Sequence, residues 1–349
     1  MDPISQAALG AVVPQSLAPK SARDSLGLIR IGVIGALAGM APDLDVLIQS
    51  STDPLLQLEY HRQFTHSLAF IPFGAAFCAL VFWPFFRHQM TYRHIWLTAL
   101  LGYGTHGLLD ACTTYGTLLL WPFSDARIAW NTISVIDPLF TLPLLVCIVI
   151  AARTNSLIAA RCGALWVAFY LSLGAVQEDR AANAGKSLAK SRGHNTALVS
   201  AKPSFGNLLL WKTVYEHDGR FWVDAVRVGH EACIIPGDNI ERLDLKAQYP
   251  WLNPTSQQAI DVERFRWFSN NHLAVDKEDP LLIVDMRYSQ LPNEIEGLWG
   301  IRLNPQATAN EHAKWRTRRS TDSERFKKLW GMLAGEWPCS AARMPSKIR

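Results

Sequence analysis

Apolar residues dominate the chain up to about Gln177, and charge becomes interspersed with them after it. Residues 66–86 (HSLAFIPFGAAFCALVFWPFF) form a run of about twenty without a formal charge, enough for a helix rising about 1.5 Å per residue to cross the hydrocarbon layer. Residues 95–109, 133–152 and 157–176 follow, each bounded by basic residues, and the last two read as a helical hairpin turning at Arg153, Thr154 and Asn155. The run 26–48 is interrupted by Pro42, Asp43 and Asp45. Pro42 biases its predecessor away from helix, so a broken or re-entrant segment is expected there, with residues 4–17 as a short helix beside it. A bundle of about five spans would satisfy the backbone inside lipid.

Beyond Gln177 the pattern changes. Residues 178–195 are polar and read as a helix leading out of the membrane. Residues 207–228 alternate apolar and polar around Asp218-Gly219, the pattern of a β-hairpin. Residues 281–288 and 297–303 look like further strands, and 323–333 like a closing helix. The expected fold is therefore mainly α. A multi-span transmembrane helical bundle occupies residues 1–177, a polar helical linker 178–195, and a small soluble α+β domain 196–349.

Charge sharpens this division. The first 177 residues carry nine Lys or Arg and nine Asp or Glu, out of 34 and 30 in the whole chain, so the first half has no net charge. With five spans and the N-terminus inside, the inner loops hold Lys20, Arg23, Arg30, Arg87, Arg93, Arg153 and Arg161, against Arg62 and Arg127 outside. That bias puts the C-terminal domain on the outer side; an additional span over residues 4–17 would invert it. The six cysteines show no metal-binding spacing and are expected to be apolar packing residues. The N-terminus lacks the order of a signal peptide and is expected to be retained.

Four motifs interrupt the apolar background: PDLD at 42–45, HRQFTHS at 61–67, THGLLD at 105–110 and VIDP at 135–138. Ionisable groups within a span cost several kcal/mol unless paired, metal-bound or wetted, so they need an explanation. His106 and Asp110, four apart on a helix, share a face and can reach one ion; a histidine donating to an aspartate within the bundle is the plain alternative. His61 is expected in a loop and His66 in the first turn of the following span. Asp43 and Asp45 either point into a shared cavity or end a helix facing water. Arg62 could clamp a phosphate or carboxylate, or contact lipid headgroups. Thr65, Ser67 and Thr105 are candidates to fix the histidine tautomers, or bond back to helix carbonyls. Imidazole with carboxylate and no thiolate pair suits a divalent ion, zinc first and manganese or iron next, and hydrolysis is the simplest chemistry for it.

These motifs, in this order, resemble the YdjM-like family of inner-membrane metal-dependent hydrolases, also described as LexA-binding. The resemblance rests on MDPISQAALGAVV, APDLD, HRQFTHSL, HGLLDACTTYGT and LLLWPFSDARIAWNTISVIDPLFTLPL, over about the first 150 residues. It implies Asp43, Asp45, His61, His66, His106 and Asp110 as metal-binding or catalytic residues, with Asp43, His66 and Asp110 catalytic and Asp137 in a supporting role. Many members carry histidine where this chain has Gln6. The family is also distantly similar to zinc-dependent phospholipase C and P1 nuclease, which implies a phosphoester substrate. Expected partners are membrane lipids, a lipid or small-molecule phosphoester and a protein; the expected location is the bacterial inner membrane.

The C-terminal half offers no competing chemistry. Trp211, Trp222, Trp267 and Trp299 read as core or interface residues, and His217, His230 and His272 lack ligand spacing. There is no phosphate-binding loop and no nucleophile elbow. KWRTRRS near Lys314 suits anionic headgroups or solubility rather than specific nucleic-acid reading. The sequence thus supports a membrane hydrolase. A non-catalytic adaptor that recruits a protein is the main rival, and a proton- or metal-coupled transporter is the third reading.

Overall fold

The computed structural model describes residues 1–19, 27–195, 198–318, 323–338 and 340–341. Lys20 and Arg23 of the charge count, Leu26, Arg319 and Ser320 of the basic run, and Cys339 lie outside these residues. The chain divides into two units: Met1–Ile48, Tyr60–Ala175 and Phe205–Asn207 form the first, and Gln49–Glu59, Val176–Ser204 and Leu208–Arg349 the second.

The first unit is helical. α1 (Pro3–Ser16) starts where the Asp2 carboxylate accepts from the Ile4 and Ser5 amides, with Pro3 in the first turn, where no backbone donor is needed. After α2 (Gly27–Met40) the chain winds into a 3₁₀ turn, Ala41–Leu47, so Pro42 tightens the helix rather than opening a re-entrant loop. A short α3 (Leu56–Tyr60) precedes two 3₁₀ turns, Phe64–His66 and Leu68–Phe70, and then α4 (Ile71–Phe86). His66 therefore stands in a separate turn ahead of the span, not in its first turn. α5 (Tyr92–Ala111) begins at a Thr91 cap, and α6 (Pro138–Thr154) at an Asp137 cap, five residues later than the apolar run suggests. α7 (Leu157–Ser191) is one continuous helix of 35 residues.

Small residues bring α1, α2 and α5 into backbone contact. A Cβ on Gly35 would lie 2.2 Å from the Gly10 oxygen, and one on Gly102 would lie 2.4 Å from the Gly35 oxygen. Close approach of this kind is how helices associate where no hydrophobic force separates them from lipid. Among the described residues, three segments are long and apolar enough to cross a membrane: Gly27–Leu47, Leu68–Phe86 and Leu157–Ser191; α6 is apolar but shorter. Phe73, Phe77, Leu80 and Phe85 of α4, and Leu142 and Val146 of α6, point outward, the reverse of a water-soluble bundle.

The second unit is built from antiparallel sheets. β1 (Ser200–Pro203), β2 (Leu210–His217), β3 (Arg220–Val228), β4 (Ala232–Ile235) and a terminal β10 (Ser340–Ala341) lie side by side, and β5 (Asn239–Glu241) also pairs with β3. Asp218 and Gly219 both take positive φ, 48° and 68°, as the two-residue turn between β2 and β3 demands. β6 (Leu273–Val275), β7 (Leu282–Asp285), β8 (Trp299–Arg302) and β9 (Lys314–Thr317) form a second sheet. Val214, Phe221 and Val223 of the first sheet share one core with Leu282, Val284 and Met286. α8 (Leu245–Gln248), α9 (Gln257–Phe268) and α10 (Ser323–Ala334) complete the unit.

The C-terminal end of α7 belongs to this unit. Gln177 donates to the Leu208 and Val228 carbonyls, and Arg180 to those of Gly229 and His230. Arg264 ties the 49–59 segment to α9 through Asp53, Glu59 and Asp261. Cys78 and Cys112 are buried and free, as apolar packing residues should be, whereas Cys233 is disulfide-bonded.

Candidate metal centre

Asp43 comes from the 3₁₀ turn after α2, His66 from the turn ahead of α4, and His106 and Asp110 from successive turns of α5. One ligand atom from each lies within 4.8 Å of all the others. His66 Nε2 is 3.2 Å from Asp110 Oδ2 and 3.4 Å from Asp43 Oδ1; His106 Nε2 is 3.5 Å and 3.3 Å from the same two oxygens. Tetrahedral ligands at zinc's bond lengths stand about 3.3–3.4 Å apart, so four of the six edges already have the spacing of a filled site.

Orientation of the rings makes this more than proximity. His106 Nδ1 is 2.5 Å from the Gly39 carbonyl, which can only accept; Nδ1 carries the proton and Nε2 presents a lone pair. For His66, Nδ1 faces Thr65 Oγ1 at 2.9 Å, and Thr65 Oγ1 donates to Asp45 Oδ2 at 3.0 Å. That relay leaves His66 Nε2 as the inward lone pair. His66 Nε2 and His106 Nε2 are buried and have no hydrogen-bond partner among the described residues, and Asp110 Oδ2 has only its ion pair with the Arg62 guanidinium. Lone pairs crowded together out of water repel one another unless a cation lies between them.

Asp45 is the supporting carboxylate. Its oxygens meet His61 Nδ1 at 2.7 Å, the Arg62 amide at 3.0 Å and Thr65 Oγ1 at 3.0 Å, and Oδ2 lies 3.3 Å from His66 Nδ1. Asp43, Asp45 and His61 also form a second, looser group of potential ligands. Arg62 adopts φ = 65°, a conformation that L residues avoid and that turns its amide onto Asp45. Its guanidinium is buried, with Nε 3.1 Å from Asp110 Oδ2 and Nη1 donating to Thr113, and it stacks on Tyr115. Expected to clamp a phosphate or carboxylate or to contact lipid headgroups, it meets the Asp110 carboxylate.

Three residues expected to support the ligands do not reach them. Ser67 Oγ bonds the Phe64 carbonyl and caps its own turn. Thr105 donates to Gly102 within α5. Asp137 caps α6 and accepts from Tyr170. Short polar side chains find backbone partners within their own turn, and that local bond won each time.

Other residues also take part. Gln6 donates to Asp110 Oδ1 at 3.0 Å and so engages the carboxylate's other oxygen. The Met1 nitrogen also contacts that oxygen. Tyr103 donates to the Thr65 carbonyl. At Gly107, a Cβ would sit 2.2 Å from the His66 carbonyl oxygen, so only glycine lets that turn press against α5. Adjacent to His106 in the HGLLD motif, it could have been noticed; its reason could not.

Two curated relatives match part of the chain. The uncharacterized protein YfhP of Bacillus subtilis (strain 168) is 32% identical over 107 residues, 30% of this chain and 32% of that protein. The inner membrane protein YbcI of Escherichia coli (strain K12) is 34% identical over 110 residues, 30% of this chain and 62% of that one. The chain thus spans about a third of the first relative's length and less than two thirds of the second's. No solved structure matches. The model of the YdjM inner membrane protein family matches residues 1–181, the region that contains the whole cluster, and the chain belongs to that family.

Proposed function

We propose that this protein is a multi-pass inner-membrane hydrolase in which His66, His106 and Asp110 hold one divalent ion, zinc first, and Asp43 completes the site on its open side. The carrying observation is that His66 Nε2 and His106 Nε2, buried and without a hydrogen-bond partner among the described residues, face Asp110 Oδ2 and Asp43 Oδ1 at tetrahedral spacing. Bound there, the ion would lower the pKa of a water and polarise an ester or phosphoryl oxygen. The protein's own part is positioning. Gly39 and the Thr65–Asp45 relay fix the two rings, and Arg62 holds Asp110. Asp43, at 25% side-chain exposure against none for the other three, is the one placed to take a proton from an entering water.

A lipid ester or phosphoester suits the surroundings. The turn that carries Asp43 and Asp45 exposes Leu44 (58%) and Leu47 (75%), an apolar rim beside the open ligand. In this reading α2, α4, α5, α6 and α7 are the five spans, which leaves the sheet unit outside. The disulfide of Cys233 supports that side, since structural disulfides belong to oxidising compartments.

Metal content is the test. Protein purified without added chelator is expected to carry about one equivalent of a divalent metal. The double variant His106→Ala, Asp110→Ala should carry almost none. Equally low content in both would remove the basis of the proposal.

A further inference from the structure

One helix of the sheet unit carries more apolar surface than the core beneath it takes. Along α10 and just beyond it, Phe326, Leu329, Trp330, Leu333 and Trp337 recur at helical spacing. Leu329 and Met332 join Leu210, Ala225, Ile235 and Leu291 in one core, and Leu333 and Trp337 pack partly against it. Phe326 and Trp330, one turn apart, remain 60% and 65% exposed. Rotation cannot hide the pair. Arg325 donates to Gln290 and Glu296, and the Leu333 carbonyl accepts from Arg227, so α10 is pinned at both ends with this face outward.

The chemistry around the pair fits a lipid surface. Lys327 flanks it on the helix, and its ammonium pairs with Glu324 at 2.9 Å, with the two side chains 72% and 67% exposed. Surface pairs of that kind are weak, so the ammonium can exchange Glu324 for a headgroup phosphate while its stem lies along the apolar face. Lys328, on the back of the helix, is still within the roughly 10 Å over which salt leaves a charge unscreened. Aromatic residues on one side with lysines beside them mark helices that lie in a membrane interface, where tryptophan is favoured because its ring is apolar and its N–H polar. A bilayer is also close at hand. α7 contains a stretch apolar enough to cross it and runs without a break into this unit, where Gln177 and Arg180 bond the Val228 and Gly229 carbonyls.

We propose that α10 docks on the membrane surface, with Phe326 and Trp330 entering the headgroup region and Lys327 meeting the phosphates of anionic phospholipids. The contact holds the sheet unit against the bilayer through a second point besides α7. It does not depend on the metal centre.

The test uses the full chain with a photoreactive side chain on the exposed face, Phe326→p-benzoylphenylalanine and, separately, Trp330→p-benzoylphenylalanine. In bacterial inner membranes, ultraviolet light is expected to add a phospholipid to the peptide that carries the probe, read by mass spectrometry. In reconstituted vesicles, the yield with phosphatidylglycerol mixed into phosphatidylcholine should exceed that with phosphatidylcholine alone by about 5-fold, and Lys327→Glu should remove the excess. A crosslink to a second copy of the chain or to another protein in place of lipid overturns the proposal, as does the absence of any adduct at both positions. A yield indifferent to lipid charge, or an excess kept in Lys327→Glu, overturns it too. If Lys327→Glu does not enter the membrane, the two vesicle compositions decide.

Discussion

At the scale of single residues, the candidate centre is expected to depend on Gly107 as well as on the four residues that could hold a metal. Replacing it with alanine would force the His66 carbonyl away from α5, since the added Cβ has only 2.2 Å. Alanine also favours helix over glycine by about 1 kcal/mol, so α5 itself should not weaken. Gly107→Ala is therefore expected to keep or raise helicity by circular dichroism while lowering metal affinity about 10-fold or more in a competition titration. Unchanged affinity would mean that the His66 turn can shift without cost to the site. Ligand chemistry was open to reading from sequence because Asp43, His66, His106 and Asp110 stand out as ionisable groups in apolar surroundings, and His106 and Asp110 also share helical spacing. Their supports were hidden for a physical reason. The Gly39 carbonyl is a backbone atom, and Thr65 differs from Ser67 and Thr105 only in which acceptor lies within reach once the chain has folded.

At the scale of elements, the first unit rests on α1, α2 and α5 touching through Gly10, Gly35 and Gly102. Gly35→Ala places a methyl 2.2 Å from the Gly10 oxygen and 2.6 Å from Pro14, and neither is a flexible side-chain end. The helices must separate, which should lower stability by about 1–3 kcal/mol and depress the thermal midpoint in detergent. The same exchange at Gly193, where no atom lies within 4 Å, provides the contrast for crowding, although its φ of 78° adds strain of its own. A midpoint for Gly35→Ala equal to the wild type's would show that this contact is not tight. Elements were legible where local chemistry decides them: apolar length marks the helices, and alternation around Asp218-Gly219 marks the β2–β3 hairpin. They were not legible where distant pairing decides. β9 lies in the basic run after Lys314, whose charges suit an exposed sheet edge paired with β8, and the two-residue β10 has no signal at all. Pro42 misled because the rule for its predecessor allows for a break, while the chain could tighten into a 3₁₀ turn instead.

At the scale of the whole molecule, the side on which the sheet unit lies depends on how many helices cross. α1, with 14 residues, spans about 21 Å and falls short of the roughly 30 Å hydrocarbon layer, whereas α2, equally long by itself, continues through its 3₁₀ turn to Leu47 as an apolar segment of 21 residues. With α1 left aside, the proposed five crossings by α2, α4, α5, α6 and α7 would put the two ends of the bundle on opposite sides of the membrane. The arginines of the first 177 residues agree, because Arg30, Arg87, Arg93, Arg153 and Arg161 would then fall on the inner side and the outer loops between the helices would hold only Arg62 and Arg127. Cys233 gives an independent argument, since its disulfide would not persist in a reducing cytoplasm. A full-length fusion to alkaline phosphatase, which folds only outside the inner membrane, should therefore be active, and a fusion to green fluorescent protein at the same point should stay dark. In intact cells with a permeabilised outer membrane, an impermeant maleimide should label Cys233 only after reduction. A bright fluorescent fusion with an inactive phosphatase would reverse the orientation and require an even number of crossings. Either α1 then spans with the other five, or one of α5 and α6, which fall outside the three long apolar segments, does not cross.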